Sequence, residues 1–346
     1  TLMSQSRETT SAQPVLEVRN LQTVFPTRDG LIRAVDDVSF TVEQGKTLGI
    51  IGESGSGKSV TARSILRVVD RPGRVVGGSV KLFGRDLLTL SEREMREIRG
   101  RDIGMIFQDP GASLNPVRKV GTQIVETYMT HRKASKNEAR ERALESIAIA
   151  GIPNPTEVFD LYPVDLSSGA KQRVMIAMAI VCRPALLIAD EPTTMLGVRT
   201  QRHILESLLK VQEELAMAMI LITHDFGVVS WMADEIMVMY GGRVVEHAPK
   251  FEILRRPRHH YTAGLIRSVP LIEERREKRL KSIPGFPPDL LNLPTGCIFH
   301  PRCEAADGLC QSVRPELGVA PEDPRHRYAC HHPVQEAVLD ELKLTG

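Results

Sequence analysis

Gly52-Glu53-Ser54-Gly55-Ser56-Gly57-Lys58-Ser59 is the stretch that decides the fold. It fits G-x-x-x-x-G-K-[ST] and directly follows the apolar run Thr47-Leu48-Gly49-Ile50-Ile51, so a strand leads in and a helix leads out. A polyphosphate carries several negative charges. A loop that holds one must turn backbone N–H groups inward, with a helix N-terminus behind them. Gly55 and Gly57 supply the permissive backbone, and the binding segment is expected to comprise Gly52 and Ser54 through Val60. Lys58 can reach the β- and γ-phosphates as a point charge, and the Ser59 hydroxyl is placed to ligate Mg2+. A Gly/Ser-rich turn can match this pattern by chance, but here the preceding strand, the lysine and the serine agree.

At 346 residues the chain is long enough for two or three units with their own cores. A net charge of +2, a single Trp and 4% aromatics argue against nucleic acid as a partner. No run of 18 apolar residues occurs, and the most apolar stretches, Leu215 to Thr223 and Val174 to Cys182, are short. Residues 1–14 are polar and read as a disordered leader rather than a signal peptide, which predicts a cytoplasmic location. Cys182 stands alone in an apolar helix, whereas Cys297, Cys303, Cys310 and Cys330 crowd into one tail. In a reducing compartment such a cluster points to a metal site rather than disulfides.

Val15 to Phe25 and Ala34 to Val42 alternate in polarity around Arg28-Asp29-Gly30, as an antiparallel pair should. Phe25 is placed either to stack on a nucleotide base or to serve the core. A helix is expected over Val60 to Val69, a short strand over Ser79 to Phe83, and a capped helix after Ser91, with Glu94 at capping-box spacing. Ile103 to Phe107 is a compact buried strand that delivers Gln108, a polar group able to reach a metal or water. Val120 to Ile152 reads as helical, with Ser135 as an N-cap, and interrupts the α/β alternation as an inserted subdomain.

Leu166 to Arg173 is expected to open a helix over Val174 to Cys182. Ala185 to Ala189 has the continuous apolar character of a central parallel strand, and it ends in Asp190-Glu191. Ligands of open α/β sheets bind at such carboxyl ends. A helix (Arg199 to Glu214), a strand (Met217 to Ile222) and Thr223-His224-Asp225 follow. The hairpin Glu235 to Glu246 is expected to close the sheet. Past Pro257 come a short helix (Tyr261 to Val269), a charged segment (Leu271 to Lys281) and a proline-rich linker into a small accessory domain.

In these motifs the chain resembles an ABC transporter ATPase subunit. The phosphate loop (Walker A), Gln108 (Q-loop), Leu166 to Arg173 (signature), Leu186 to Glu191 (Walker B), Met195 to Gly197 (D-loop) and His224 (switch histidine) occur in the family's order. Met105 to Pro110, Ser113 to Pro116, Arg173 to Ala179 and Ile283-Pro284-Gly285 with Pro287-Pro288 are similar to the oligopeptide/dipeptide importer branch. The resemblance covers Val15 to about Pro333. It implies an α/β P-loop NTPase fold: an antiparallel β subdomain, a helical subdomain near 110–182 within a nucleotide-binding domain over 15–256, and a C-terminal extension over 257–346.

The resemblance implies ATP and Mg2+ as ligands, with Asp190 holding the Mg2+ shell beside Ser59 and Gln108. Glu191 would polarise the attacking water as general base, and His224 would bond the γ-phosphate. Ser167 and Gly169 would cover the ATP of a second homologous ATPase subunit. Two transmembrane permease subunits and an extracytoplasmic peptide-binding protein complete the expected assembly, with this subunit peripheral on the cytoplasmic face of the inner membrane. The tail matches the cysteine set of relatives that carry a [4Fe-4S] cluster on Cys297, Cys303, Cys310 and Cys330, with Zn2+ as the alternative. His300, His326, His331 and His332 are candidate stand-in ligands, with a surface position the expected one.

Two departures stand out. Ser168 replaces the first glycine of the signature, and Met195-Leu196-Gly197 lacks the D-loop acid. They predict a paralogous partner and a weakened ATP site in trans. Alternatives to a peptide-import ATPase are a mainly regulatory ATP binder in a heterodimer, an importer of another small solute, and a non-transport ABC ATPase.

Overall fold

The computed structural model describes residues 14–194, 196–268 and 283–335. β1 (Leu16–Pro26) and β2 (Leu31–Val42) pair antiparallel through a turn in which the Thr27 N–H donates to the Gly30 carbonyl at 2.8 Å. β3 (Thr47–Ile51) is buried at all five positions. β4 (Arg74–Leu82) and β5 (Arg85–Asp86) complete a four-stranded sheet in the order β2-β1-β4-β5. β4 is longer than the strand expected over Ser79 to Phe83, because it runs through Gly77 and Gly78 to pair with β1.

The second sheet adds β6 (Ile103–Ile106), β7 (Leu186–Asp190), β8 (Ala218–Thr223), β9 (Glu235–Tyr240) and β10 (Arg243–Pro249), then β11 (Gly318–Val319) and β12 (Arg327–Tyr328). Its order is β11-β12-β10-β9-β3-β8-β7-β6. The strands from β9 to β6 are mutually parallel, so the carboxyl ends of β3, β7 and β8 share one edge. Every residue of β7 and β8 is buried, which explains their unbroken apolar composition. Removing a core side chain such as Leu187 would cost about 2–5 kcal/mol.

The hairpin β9–β10 does not close the sheet. β10 keeps an open edge, and the tail fills it: Glu246 pairs with Tyr328 and His247 with Arg327. The tail therefore shares a sheet with β3 and β6 to β10. Beneath it Glu246, 0% exposed, accepts from the N–H groups of Arg258 and His259 and contacts His326 Nε2 at 2.7 Å. That overturns the surface assignment of His326, which is buried as the partner of a buried carboxylate.

The helical insert contains two longer helices that meet at the expected Ser135 cap. Val120–His131 ends at Arg132, and Ser135 caps a new helix, Lys136–Ile149, by accepting the Glu138 N–H at 3.2 Å. The helix after the phosphate loop, Lys58–Ile65, stops short of the expected Val69 because Arg67 adopts φ +53°. Ser91 and Glu94 form the expected capping box ahead of Glu92–Ile98. The helix over Tyr261 to Val269 is observed as His260–Arg267. The leader over residues 1–13, Met195, the charged segment Leu271 to Lys281 and residues 336–346 lie outside the described residues.

Candidate functional site

The phosphate loop lies between β3 and the helix Lys58–Ile65, where the sequence places it. Gly57 is the helix N-cap at φ +102°, and a Cβ there would stand 2.4 Å from the Ala34 carbonyl oxygen, so only glycine fits. Gly55 has φ +78°, also in glycine territory, while Ser54 beside it is exposed. Ser56 Oγ is buried and, among the described residues, has no hydrogen-bond partner. Such a polar atom in a glycine cradle suits an oxygen-rich ligand. Val60 follows in the helix and packs on the core.

Lys58, 5% exposed, donates from Nζ to the carbonyls of Gly52 at 2.7 Å and Glu53 at 2.9 Å. Burial lowers its pKa, against the pull of Glu191, Asp190 and Glu53. Ser59 Oγ donates to Asp190 Oδ1 at 2.8 Å, which joins the loop to the end of β7. The Asp190 carboxyl is raised in pKa by burial, although the Ser59 bond works the other way. A buried carboxylate beside a serine hydroxyl is a donor set for a hard divalent cation.

Glu191 stands next to Asp190 in the left-handed backbone region, at φ +49°, a conformation that costs a non-glycine residue about 1 kcal/mol or more. Three side chains address its carboxylate. Gln108 Nε2 donates to Oε2 at 3.2 Å, Thr194 Oγ1 donates to Oε2 at 2.8 Å, and His224 Nδ1 lies 3.5 Å from Oε1. The His224 side chain is 63% exposed, while that of Glu191 is only 17% exposed, so the carboxylate is recessed behind a ring of polar groups. Gln108 thus meets Glu191 directly, with Asp190 beside it.

A family model described as "ABC transporter" matches residues 35–194, and one described as "Oligopeptide/dipeptide transporter, C-terminal region" matches residues 245–310. A dipeptide transport ATP-binding protein of Haemophilus influenzae is 45% identical over 322 residues, covering 93% of this chain and 96% of that protein. The chain belongs to the ABC transporter ATPase family. An oligopeptide transport ATP-binding protein of Salmonella typhimurium is 44% identical over 338 residues, covering 96% of this ABC protein and 99% of the relative. Among solved structures, a dimeric ATP-binding cassette in a post-hydrolysis state with ADP and Pi matches at TM-score 0.61 and 26% identity, over 68% of this chain and 98% of that one.

The signature of this ABC protein begins a helix earlier than expected. The helix is Ser168–Ile180 rather than Val174 to Cys182, because Ser167 caps it by accepting the Ala170 N–H at 3.3 Å. Ser167 and Ser168 are exposed. A Cβ on Gly169 would meet the Thr200 methyl at 2.7 Å, so the signature packs against the start of the helix Val198–Leu215, whose N-cap is Gly197. The two departures from the family pattern thus flank this contact in sequence, Ser168 one residue before Gly169 and Gly197 three residues before Thr200.

Of the two roles open to Phe25, its surroundings favour the packing one. The ring lies against Gly73, where an added Cβ would come within 2.4 Å of it. Cys297, Cys303, Cys310 and Cys330 line one small cavity, together with His259, His260, His300, His331 and His332. Among the described residues, the set of three ligand atoms lying within 4.8 Å of one another is Asp307, Cys310 and His332, not the four thiols. That trio has a structural explanation. Asp307 caps the helix Gly308–Ser312 by accepting the Cys310 N–H, which holds its pKa down at about 2, and His332 lies 2.9 Å away.

Sequence reasoning missed Glu53, Thr194, Tyr261 and Arg302. Thr194 follows Walker B closely enough that its hydroxyl could have been noticed. The other three meet only through the fold.

Proposed function

We propose that this chain is the ATP-hydrolysing subunit of an importer for dipeptides or oligopeptides, acting at the cytoplasmic face of the inner membrane. The observation that carries this reading is the Glu191 carboxylate, recessed beside the Ser59–Asp190 pair and ringed by Gln108, Thr194 and His224. Glu191 accepts a proton from water attacking the γ-phosphorus, and His224 and Gln108 orient that water. Lys58 leaves the loop carbonyls for the β- and γ-phosphate oxygens. Mg2+, held by Ser59 and Asp190, would neutralise the charge on those phosphates. The peptide cargo follows from the names of the relatives and the C-terminal family match. Permease subunits and an extracytoplasmic binding protein follow from the same reading.

The partner ATPase is a paralogue. The departures at Ser168 and Gly197 weaken the ATP site that this chain covers in trans, whereas its own Lys58, Asp190, Glu191 and His224 are complete. The test is a reconstituted complex in which the Walker B glutamate of each ATPase is changed to Gln in turn. Loss of ATPase activity chiefly on Glu191→Gln supports the reading, and equal losses overturn the asymmetry.

The four cysteines hold a [4Fe-4S] cluster of structural or regulatory role. Burial raises the thiol pKa of Cys297, Cys303 and Cys330, the last to about 12, so an electrophilic metal centre is needed to keep thiolates there. A single Zn2+ at about 2.3 Å from each sulfur would hold the thiolates roughly 3.8 Å apart. No three of the four sulfurs meet within 4.8 Å, so the thiols do not form a compact zinc cage as they stand. Iron and acid-labile sulfide in anaerobically purified protein would support the cluster, and stoichiometric zinc would sink it.

A further inference from the structure

We infer that Arg302 and Tyr261 of the C-terminal extension are positioning residues for the phosphate loop, and that the extension sets nucleotide affinity through them. The inference rests on the nucleotide-binding reading above. Its anchor is Glu53, the second residue of the loop. Arg302 Nη1 donates to Glu53 Oε2 at 2.6 Å and Nη2 donates to Oε1 at 2.9 Å, a parallel two-bond fork across 249 residues of sequence. The Glu53 backbone N–H donates to the Tyr261 hydroxyl at 2.8 Å. The side chain and the backbone N–H of this residue are thus both held from outside the loop.

The holder is rigid. The Arg302 side chain is 5% exposed, and it also donates from Nε to the Pro284 carbonyl at 2.8 Å and from Nη1 to the Tyr240 hydroxyl at 3.3 Å. Tyr240, Tyr261 and Phe299 pack ring to ring, with centroids 4.6–5.4 Å apart. Arg302 closes the turn His300–Arg302, which lies in sequence between Cys297 and Cys303, two residues of the thiol-lined cavity.

A carboxylate is a poor neighbour for a triphosphate. Unpaired, Glu53 would repel the ligand that its own loop has to hold. The guanidinium neutralises it and fixes it against the extension. The same residue's carbonyl is one of the two that receive Lys58 Nζ, so the placement of Glu53 also sets where the catalytic lysine rests.

The experiment measures equilibrium binding of a fluorescent ATP analogue with Mg2+ to the full chain, alongside kcat and KM of the assembled complex. Arg302→Gln is expected to raise Kd and KM about tenfold while kcat stays within about twofold, the size of one partly screened charge contact. Tyr261→Phe should raise Kd by about threefold, as expected for one lost neutral hydrogen bond. Adding Glu53→Gln to Arg302→Gln should bring Kd back to within about threefold of the parent, because the unpaired carboxylate is what repels the phosphates. A merely structural role for Arg302 would give no such rescue. Unchanged affinity in Arg302→Gln, or a deficit that persists in the double variant, overturns the inference. If melting shows that Arg302→Gln does not fold, Arg302→Met, which keeps an apolar stem and removes the charge, takes its place under the same two criteria. Failure of the parent itself to bind, with Lys58→Ala behaving identically, would instead locate the error in the nucleotide reading.

Discussion

Ser59 donates its hydroxyl to Asp190 Oδ1 at 2.8 Å, although 131 residues separate them in sequence. The bond exists because β3 and β7 are parallel members of one sheet with β8 between them, so the segments leaving their carboxyl ends emerge on the same edge. Asp190→Asn keeps an oxygen for Ser59 to donate to, so folding should be retained. A divalent cation loses its charged ligand, and ATP turnover should fall at least about a hundredfold. Mg2+-dependent ATPase assays beside circular dichroism check this, and a loss of fold would count against it.

Glu191→Gln should lower kcat by about 10²- to 10⁴-fold with nucleotide binding retained, since only the proton acceptor is removed. Thr194→Ala removes one of the donors that orient the carboxylate. Its effect should be about tenfold at most, the worth of a single hydrogen bond to a charged group. Single-turnover kinetics of the two variants separate the base from its support.

Gly197 caps the helix Val198–Leu215 at φ −67° and ψ 151°, an ordinary conformation, and an added Cβ would meet nothing within 4 Å. Nothing in the fold demands glycine there. Gly197→Asp should therefore preserve stability or raise it by about a few tenths of a kcal/mol through better N-capping, with Tm unchanged or slightly higher. If the missing acid is what weakens the second ATP site, the ATPase activity of the assembled complex should rise. Calorimetry and steady-state rates read the two effects independently.

His259 is wholly buried, and its Nδ1 accepts the Tyr261 N–H at 3.1 Å, which caps the helix that holds the phosphate-loop brace. Burial, with His260 nearby, lowers its pKa from 6.5 to about 3. The unfolded chain therefore binds a proton that the folded chain does not. This group's stability contribution is complete well above pH 6.5 and is lost as pH falls toward 3. Between pH 7 and pH 5 the loss is about 2 kcal/mol. Denaturant melts at the two pH values should show it, and His259→Asn, which keeps a capping oxygen, should remove that part of the pH dependence.

Much of the site was legible without coordinates. Walker A, Walker B, Gln108 and His224 are local signals, each an apolar strand followed by a particular polar residue, and the strands deliver them to one edge as expected. Helix limits were less legible where capping decided them. Ser167 starts the signature helix ahead of the apolar periodicity, whereas the break in the insert was legible at its other side, in the Ser135 cap. The tail was legible in composition but not in attachment. Nothing in 327–328 announces a strand, and β12 forms only because β10 offers an unpaired edge.

The sequence by itself determined the chemistry: glycines for a tight loop, a lysine, a serine, and two acids at the end of a buried strand, all short-range patterns set by backbone sterics and hydrophobic period. Tertiary structure alone decided the pairings between distant polar groups, among them Arg302 with Glu53, His326 with Glu246 and Ser59 with Asp190. A buried charge takes the partner that the packed strands bring within about 3 Å, and no local pattern along the chain encodes that distance.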